Sequence, residues 1–266
     1  MQRYLGKKDF PFIKLSSRII SDYQGKLLAS GICDNTIGFY LHNIKALFRK
    51  GCREMGLELP CPFRDISIKT EKTLKRSLDP VVIKTLSAIE LEKDSPLSLA
   101  RDIFMFSFYT RGMSFVDIAL LKKRHVFPGE ICYRRHKTDQ LMRVGINKEI
   151  SRILERYKNV PGEYIFPLFP AERDPYAGYR SAYHRIRYSL GKISRVIGLE
   201  FPLRLHAARH SWITLAKVNG ASVHVIGECL GHTSEKTTRI YLKELDHSAL
   251  DAVNNQVADF ILAVDD

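Results

Sequence analysis

A chain of 266 residues with 45% hydrophobic side chains holds enough apolar material for one large packed core or two smaller ones, which excludes a disordered polypeptide. Five scattered cysteines without a C-x-x-C pair exclude a disulfide framework and a zinc knuckle. The N-terminus MQRYLGKKDF and the short apolar run 103–109 read as neither signal peptide nor membrane span, so a cytoplasmic protein is expected. A net charge of +13, of which +8 lies in residues 1–76 (15 Lys and Arg against 7 Asp and Glu), points to a polyanionic partner, because that much self-repulsion otherwise only opposes compaction.

Ser16 or Ser17 caps a first helix in which Ile19, Ile20, Tyr23, Leu27 and Leu28 recur at helical spacing, and Gly31 stops it. A second helix is capped by Asp34 or Asn35, carries the stripe Ile37, Tyr40, Leu41, Ile44, Leu47 and Phe48, and closes at Gly51. The two bury their stripes by pairing as an αα-hairpin. Lys45, Arg49, Lys50 and Arg53 lie on the opposite face of the second helix. A solvated face and a phosphate-contacting face both fit them, and the overall charge favours the second. The proline-bearing stretch 57–62 and the polar stretch 63–77 read as an interdomain linker.

Asp79-Pro80 opens a third helix through Ile83, Leu86, Ile89 and Leu91, and a mostly buried fourth starts near Pro96. A short helix is expected at 118–121. From His125 to Ile146 the pattern turns to β: 125–127, a turn at Pro128-Gly129, 131–137, a turn at Thr138-Asp139, and 142–146, forming an antiparallel meander. Helices resume at 148–157 and 176–197. The second of these interleaves Arg180, Arg185, Arg187, Lys192 and Arg195 with Tyr179, Tyr183 and Tyr188, which suits phosphate and sugar contacts or an exposed helix with a tyrosine packing face.

The stretch Leu203–Leu245 concentrates the polar chemistry. His206 and Arg209 share a helical face with His210 one turn above His206; Gly220 stops that helix, Ser222 caps a short one over 223–230, and Gly231-His232 and Tyr241 follow. Three readings fit. In the first, His206, His210 and His232 ligate a metal, but the zinc-peptidase motif needs a glutamate where Ala207 stands. In the second, these side chains satisfy buried carbonyls. In the third, guanidinium and imidazole donors neutralise a phosphodiester under attack by the tyrosine, and a lysine protonates the leaving 5′-oxygen.

The run His206-x-x-Arg209-His210, then Leu230-Gly231-His232, then Thr238-x-x-Tyr241, resembles the C-terminal signature of the tyrosine recombinases, the phage integrase family. His136-Lys137-Thr138 is similar to the family's hairpin lysine. The resemblance covers about 77–241 and implies a mainly α fold with a small antiparallel β-sheet: a helical core-binding domain at 1–72 and a mixed α+β catalytic domain at 73–266. It implies a site-specific recombinase that cleaves and rejoins double-stranded DNA, as in integration, excision or inversion of a mobile element, without cofactor or metal. Tyr241 is then the nucleophile, Arg209 and His232 hold the scissile phosphate, His206 assists proton transfer, Lys137 is the acid, and Asp117 and His210 support. A type IB topoisomerase-like enzyme and a non-catalytic DNA-binding regulator are the alternatives.

The family's first arginine sits in a Thr-Gly-Leu-Arg-x-Ser-(Asp/Glu) context. Here Gly112-Met-Ser-Phe-Val-Asp117 puts Ser114 at the arginine position, and a serine supplies no bidentate cation. Arg111 is the expected substitute, with Arg101 behind it. Beyond Tyr241, Ser248 caps a tail helix with Leu250, Val253, Val257, Phe260, Ile261 and Leu262 on one face. It folds onto its own domain or, as in the family, docks on a neighbour within a tetrameric synapse on nucleoid DNA. The short front end implies no separate arm-site domain.

Overall fold

The structure, a computed structural model, describes residues 4, 6, 10–69, 71, 76–169, 175–231 and 238. The chain forms two units, Met1–Leu74 and Lys75–Asp266.

In the first unit, α1 (Ser17–Ala29) is capped by Ser16, whose Oγ accepts from the Ile19 amide, and α2 spans Asp34–Glu54. Their shared core is Ile20, Tyr23, Ile37, Leu41, Phe48 and Phe63. Four expectations are corrected. Tyr40 and Leu47 turn outward, Leu47 being 68% exposed, because the i, i+4, i+7, i+11 row of Ile37, Leu41, Ile44 and Phe48 already fills the buried face. Gly51 lies inside α2 rather than ending it: a Cβ there would stand 3.3 Å from the Phe12 ring, and the turn falls instead at Gly56 (φ +61°). The stretch read as linker begins within this core, where Phe63 is buried and Ile66 and Ile68 pack. Asn35 is no cap; its side-chain amide exchanges two hydrogen bonds with the Glu71 backbone (2.9 and 3.0 Å) and Cys33 occupies the cap position. Arg49, Lys50 and Arg53 are exposed on α2 and Lys45 is half-buried.

The second unit is built around α4 (Pro96–Tyr109), apolar on nearly every side through Ala100, Ile103, Phe104, Met105 and Phe106. Around it pack α3 (Pro80–Ala88), α5 (Phe115–Ala119), α6 (Lys148–Tyr157), α7 (Pro175–Val196) and α8 (Leu205–Val218), with α9 (Val223–Cys229) lying on α8. Helix α5 starts three residues before its expected position because Ser114 caps it. Asp79, Ser95, Asn147 and Ser222 cap α3, α4, α6 and α9 through their side chains. A buried carboxylate, Asp102, ties α4 to α6. Arg101 Nε (2.5 Å), Arg156 Nη1 (2.7 Å) and the Tyr157 hydroxyl (2.9 Å) all donate to it, satisfying a charge that burial would otherwise penalise.

The strands β1 (Val126–Phe127), β2 (Glu130–Arg134) and β3 (Leu141–Gly145) form an antiparallel sheet in that order, Glu130 facing Gly145 and Arg134 facing Leu141. The strand expected to reach Lys137 stops at Arg134. From there the Arg135 amide donates to the Gln140 carbonyl (2.9 Å) and the Asp139 amide to the Arg135 carbonyl (2.8 Å), closing a tight tip in which Asp139 is left-handed (φ +53°). Ile131, Tyr133, Met142 and Val144 face the core, as period-two alternation requires.

Candidate active site

Helix α8 carries His206 and Arg209 on one face, with the His206 and His210 rings edge-to-face at 5.2 Å. Arg209 is buried. Its Nη1 donates to the Gly112 carbonyl at 2.8 Å and its Nη2 to the Leu230 carbonyl at 3.1 Å, so one guanidinium joins the turn after α4 to the end of α9. The approach at Gly112 is very close. Its φ is +76°, and a Cβ there would stand 2.6–2.8 Å from the Arg209 Cγ, Cα and Cβ; only glycine fits both the conformation and the space.

The β2–β3 tip is pinned from two sides. Asp117, 5% exposed, accepts from the Ser114 hydroxyl (2.6 Å) and from the His136 amide (2.8 Å), so the cap of α5 and the hairpin share one carboxylate. On the other side, Arg135 Nη1 donates to the Gly231 carbonyl at 2.6 Å. Gly231 (φ +60°) lies under Met142, whose Sδ would be 2.7 Å from a Cβ. Lys137 stands exposed on the tip. Asp117→Ala should leave the hairpin with one pin, at a cost of about 1–3 kcal/mol for the partners left unsatisfied. A lowered melting temperature together with slower DNA cleavage checks this; an unchanged cleavage rate counts against hairpin placement as Asp117's role.

The Tyr133 phenol reports the local charge. Burial and the Asp117 carboxylate push its pKa up, while the charges of Arg135, Arg209 and Arg111 pull it down. His206 is exposed, yet partial desolvation by the surrounding protein, and secondarily Arg209, lower its imidazole pKa from the ordinary value. It is therefore neutral at pH 7 and able to accept a proton.

The structure thus brings together Arg209, His206, His210, Asp117 and the Lys137 hairpin. Ser114 is occupied as a helix cap. Arg101 does not reach this site: its Nε is held by Asp102 and its Nη1 by the Ile89 carbonyl, a corner formed by α4, α6 and the residue after α3. Arg111 is left-handed (φ +61°) and reaches along the sheet to the Arg143 carbonyl, a long 3.4 Å. On α7, Arg185 turns back to the Leu168 carbonyl (2.7 Å) while Arg187 is exposed. His232, Tyr241 and the tail at 248–262 lie outside the described residues. Thr238, three residues before Tyr241, is helical and fully buried, its Oγ1 2.9 Å from where a Gly227 Cβ would be. The residue that motif reading missed is Arg135. Its signal was present in the alternation: Ile131, Tyr133 and Arg135 share a strand face, so the cation follows two core positions inward.

Among the described residues, no helix is long and apolar enough to cross a membrane. The chain is 26% identical over 226 residues to the tyrosine recombinase XerC of Shewanella oneidensis, covering 81% of this chain and 70% of that protein. It is 24% identical over 257 residues to the ICEBs1 integrase of Bacillus subtilis, covering 85% and 66%. In fold it is similar to the Tn1549 transposon integrase in complex with transposon right end DNA (TM-score 0.70, 15% identity, 97% and 90% coverage). It is likewise similar to a lambda integrase dimer bound to a COC′ core site (TM-score 0.66, 17% identity, 90% and 84% coverage). The profile of the phage integrase family matches residues 77–247, well over half the sequence and all of the site just described, and the chain belongs to that family.

Proposed function

We propose that the protein is a site-specific DNA recombinase that breaks and rejoins duplex DNA through a 3′-phosphotyrosyl intermediate. The observation that carries this reading is the buried Arg209 guanidinium, fixed by two carbonyls at the meeting point of the α4–α5 turn, α8 and the end of α9. In the proposed step the Tyr241 oxygen bonds to phosphorus as the P–O5′ bond breaks. His206 takes the phenolic proton and Lys137 gives one to the departing 5′-oxygen. Arg209 and His232 neutralise the non-bridging oxygens. One phosphoester replaces another, so attack by a 5′-hydroxyl from a partner strand reverses the chemistry. Lys45, Arg49, Lys50, Arg53 and Arg187 are the proposed phosphate contacts on nucleoid DNA.

The test is covalent capture. A library of random-sequence duplexes carrying nicks is incubated with the full chain and denatured in detergent, and strands that travel with the protein are sequenced. Recovery of a sequence joined at its 3′-phosphate is the expected result. Absence of any adduct favours a DNA-binding regulator, and plasmid relaxation without strand exchange favours a topoisomerase-like enzyme.

A depressed His206 pKa sets the direction of the pH profile. Adduct formation should stay level as pH falls through about 6.5, the ordinary imidazole value, and decline only below it. A decline centred at or above that value removes His206 as the proton acceptor. Protomers are proposed to meet in a tetrameric synapse through the tail at 248–262. Truncation after 247 should lower the mass of the complex on captured duplex in light scattering; an unchanged mass would place the contact elsewhere.

A further inference from the structure

Resting on that reading, we infer that Arg135 is the second guanidinium of the site and contacts the scissile phosphate, the task for which the Ser114 position holds no cation. The Arg135 backbone is fixed by the hairpin closure, its amide donating to Gln140 and its carbonyl accepting from Asp139. The side chain leaves the inward face of β2 and donates to the Gly231 carbonyl, while Arg209 donates to the Leu230 carbonyl. Those are consecutive peptide units, with Cα atoms about 3.8 Å apart. Two guanidinium groups are therefore anchored on consecutive carbonyls directly before His232.

The pairing pattern separates Arg135 from its neighbours. Arg134 pairs with Asp139 and Arg143 with Glu130, both at the surface. Half-buried Arg135 has no carboxylate partner among the described residues, and a carbonyl is the one acceptor it meets there. Of five N–H donors in a guanidinium fork, most are left for another acceptor. Two adjacent cations in a partly desolvated site repel one another, and an anion placed between them relieves that repulsion. A phosphodiester gaining charge at its non-bridging oxygens is such an anion, and gains most in the transition state. Arg111 fits less well, since its guanidinium is directed to β3.

The test uses the captured duplex in single-turnover adduct formation, with a phosphodiester or a methylphosphonate at the scissile position. The methyl group removes the charge that Arg135 would neutralise. On phosphodiester, Arg135→Ala should slow adduct formation by about 10²-fold or more, the loss typical of one removed oxyanion donor, while duplex affinity changes little. On methylphosphonate the same variant should come within about tenfold of wild type, the residual loss being that of one hydrogen bond of ordinary strength to a neutral acceptor. Arg135→Lys keeps a donor for Gly231 without the fork, and should show a smaller loss with the same relief. It also serves if the alanine variant does not fold. Wild-type rates in Arg135→Ala overturn the inference. So does a loss of equal size on both substrates, which would make Arg135 a positioning residue for Gly231, or relief confined to Arg111→Ala. Failure of the wild-type protein to form any adduct overturns the parent reading instead, and this one with it.

Discussion

Tyr241→Phe should bind the captured duplex as wild type does and yield no covalent adduct. The substitution keeps the ring and removes one oxygen, the atom that would bond to phosphorus. Tyr133, whose phenol feels the charges of Arg135, Arg209 and Arg111, is buried within the sheet's core face, and it is pushed toward the protonated form by burial and by Asp117. A loss of at least about 10⁴-fold is expected, equivalent to roughly 5.5 kcal/mol of transition-state stabilisation. Detergent-resistant protein–DNA species on a denaturing gel, read beside a binding titration, check it. An adduct that persists in the variant would move the nucleophile to another side chain and dissolve the assignment of Tyr241.

Gly112→Ala is expected to damage both stability and chemistry while leaving every proposed catalytic side chain in the sequence. The left-handed backbone alone costs a non-glycine residue about 1–2 kcal/mol. The added methyl meets Arg209 at its Cα and Cβ as well as its Cγ, so the strain cannot be relieved by rotating a flexible side-chain end. Overpacking of this kind adds about 1–3 kcal/mol. Against a total stability of roughly 5–15 kcal/mol the variant remains folded but melts earlier. To make room, α8 must withdraw from the turn, taking the Arg209 guanidinium with it, and misplacement by about 1 Å is enough for a 10²-fold loss of rate. Thermal denaturation and single-turnover cleavage together test this. A variant with a lowered melting point and wild-type cleavage would show that α8 withdraws without moving the guanidinium.

Much of the fold was legible because it rests on local rules. Caps at Asp79, Ser95, Asn147 and Ser222 precede apolar periodicity, and each opens a helix where expected. The errors arise where a distant residue overrides a local signal. Gly51 reads as a stop until the Phe12 ring is seen filling the space beside it. Phe63, Ile66 and Ile68 read as linker because their partners are on helices earlier in the chain. The site divides in the same way. Arg209 is visible as a motif residue, and its face follows from helical spacing. The clasp at Gly112, the shared acceptor at Asp117 and the Arg135–Gly231 bond depend on contacts between remote segments, which periodicity does not encode. Arg135 could have been found from strand alternation, had the cations 134–137 at the end of the expected strand been divided by face.

The clasps that build the site join residues far apart in the chain. Ninety-seven positions separate Gly112 from Arg209, 96 separate Arg135 from Gly231, and the Leu78 amide reaches the Ser211 hydroxyl across 133. Such closures form late, because the chain entropy of bringing their ends together is lost before the contacts compensate. During synthesis, which proceeds from the N-terminus, a nascent chain that has not reached Gly231 can hold the front helices, the central helix and the hairpin, but not the completed clasps. Cutting competence is therefore expected near the end of production, and under the proposed role of the front helices an incomplete chain would hold DNA before it could nick it.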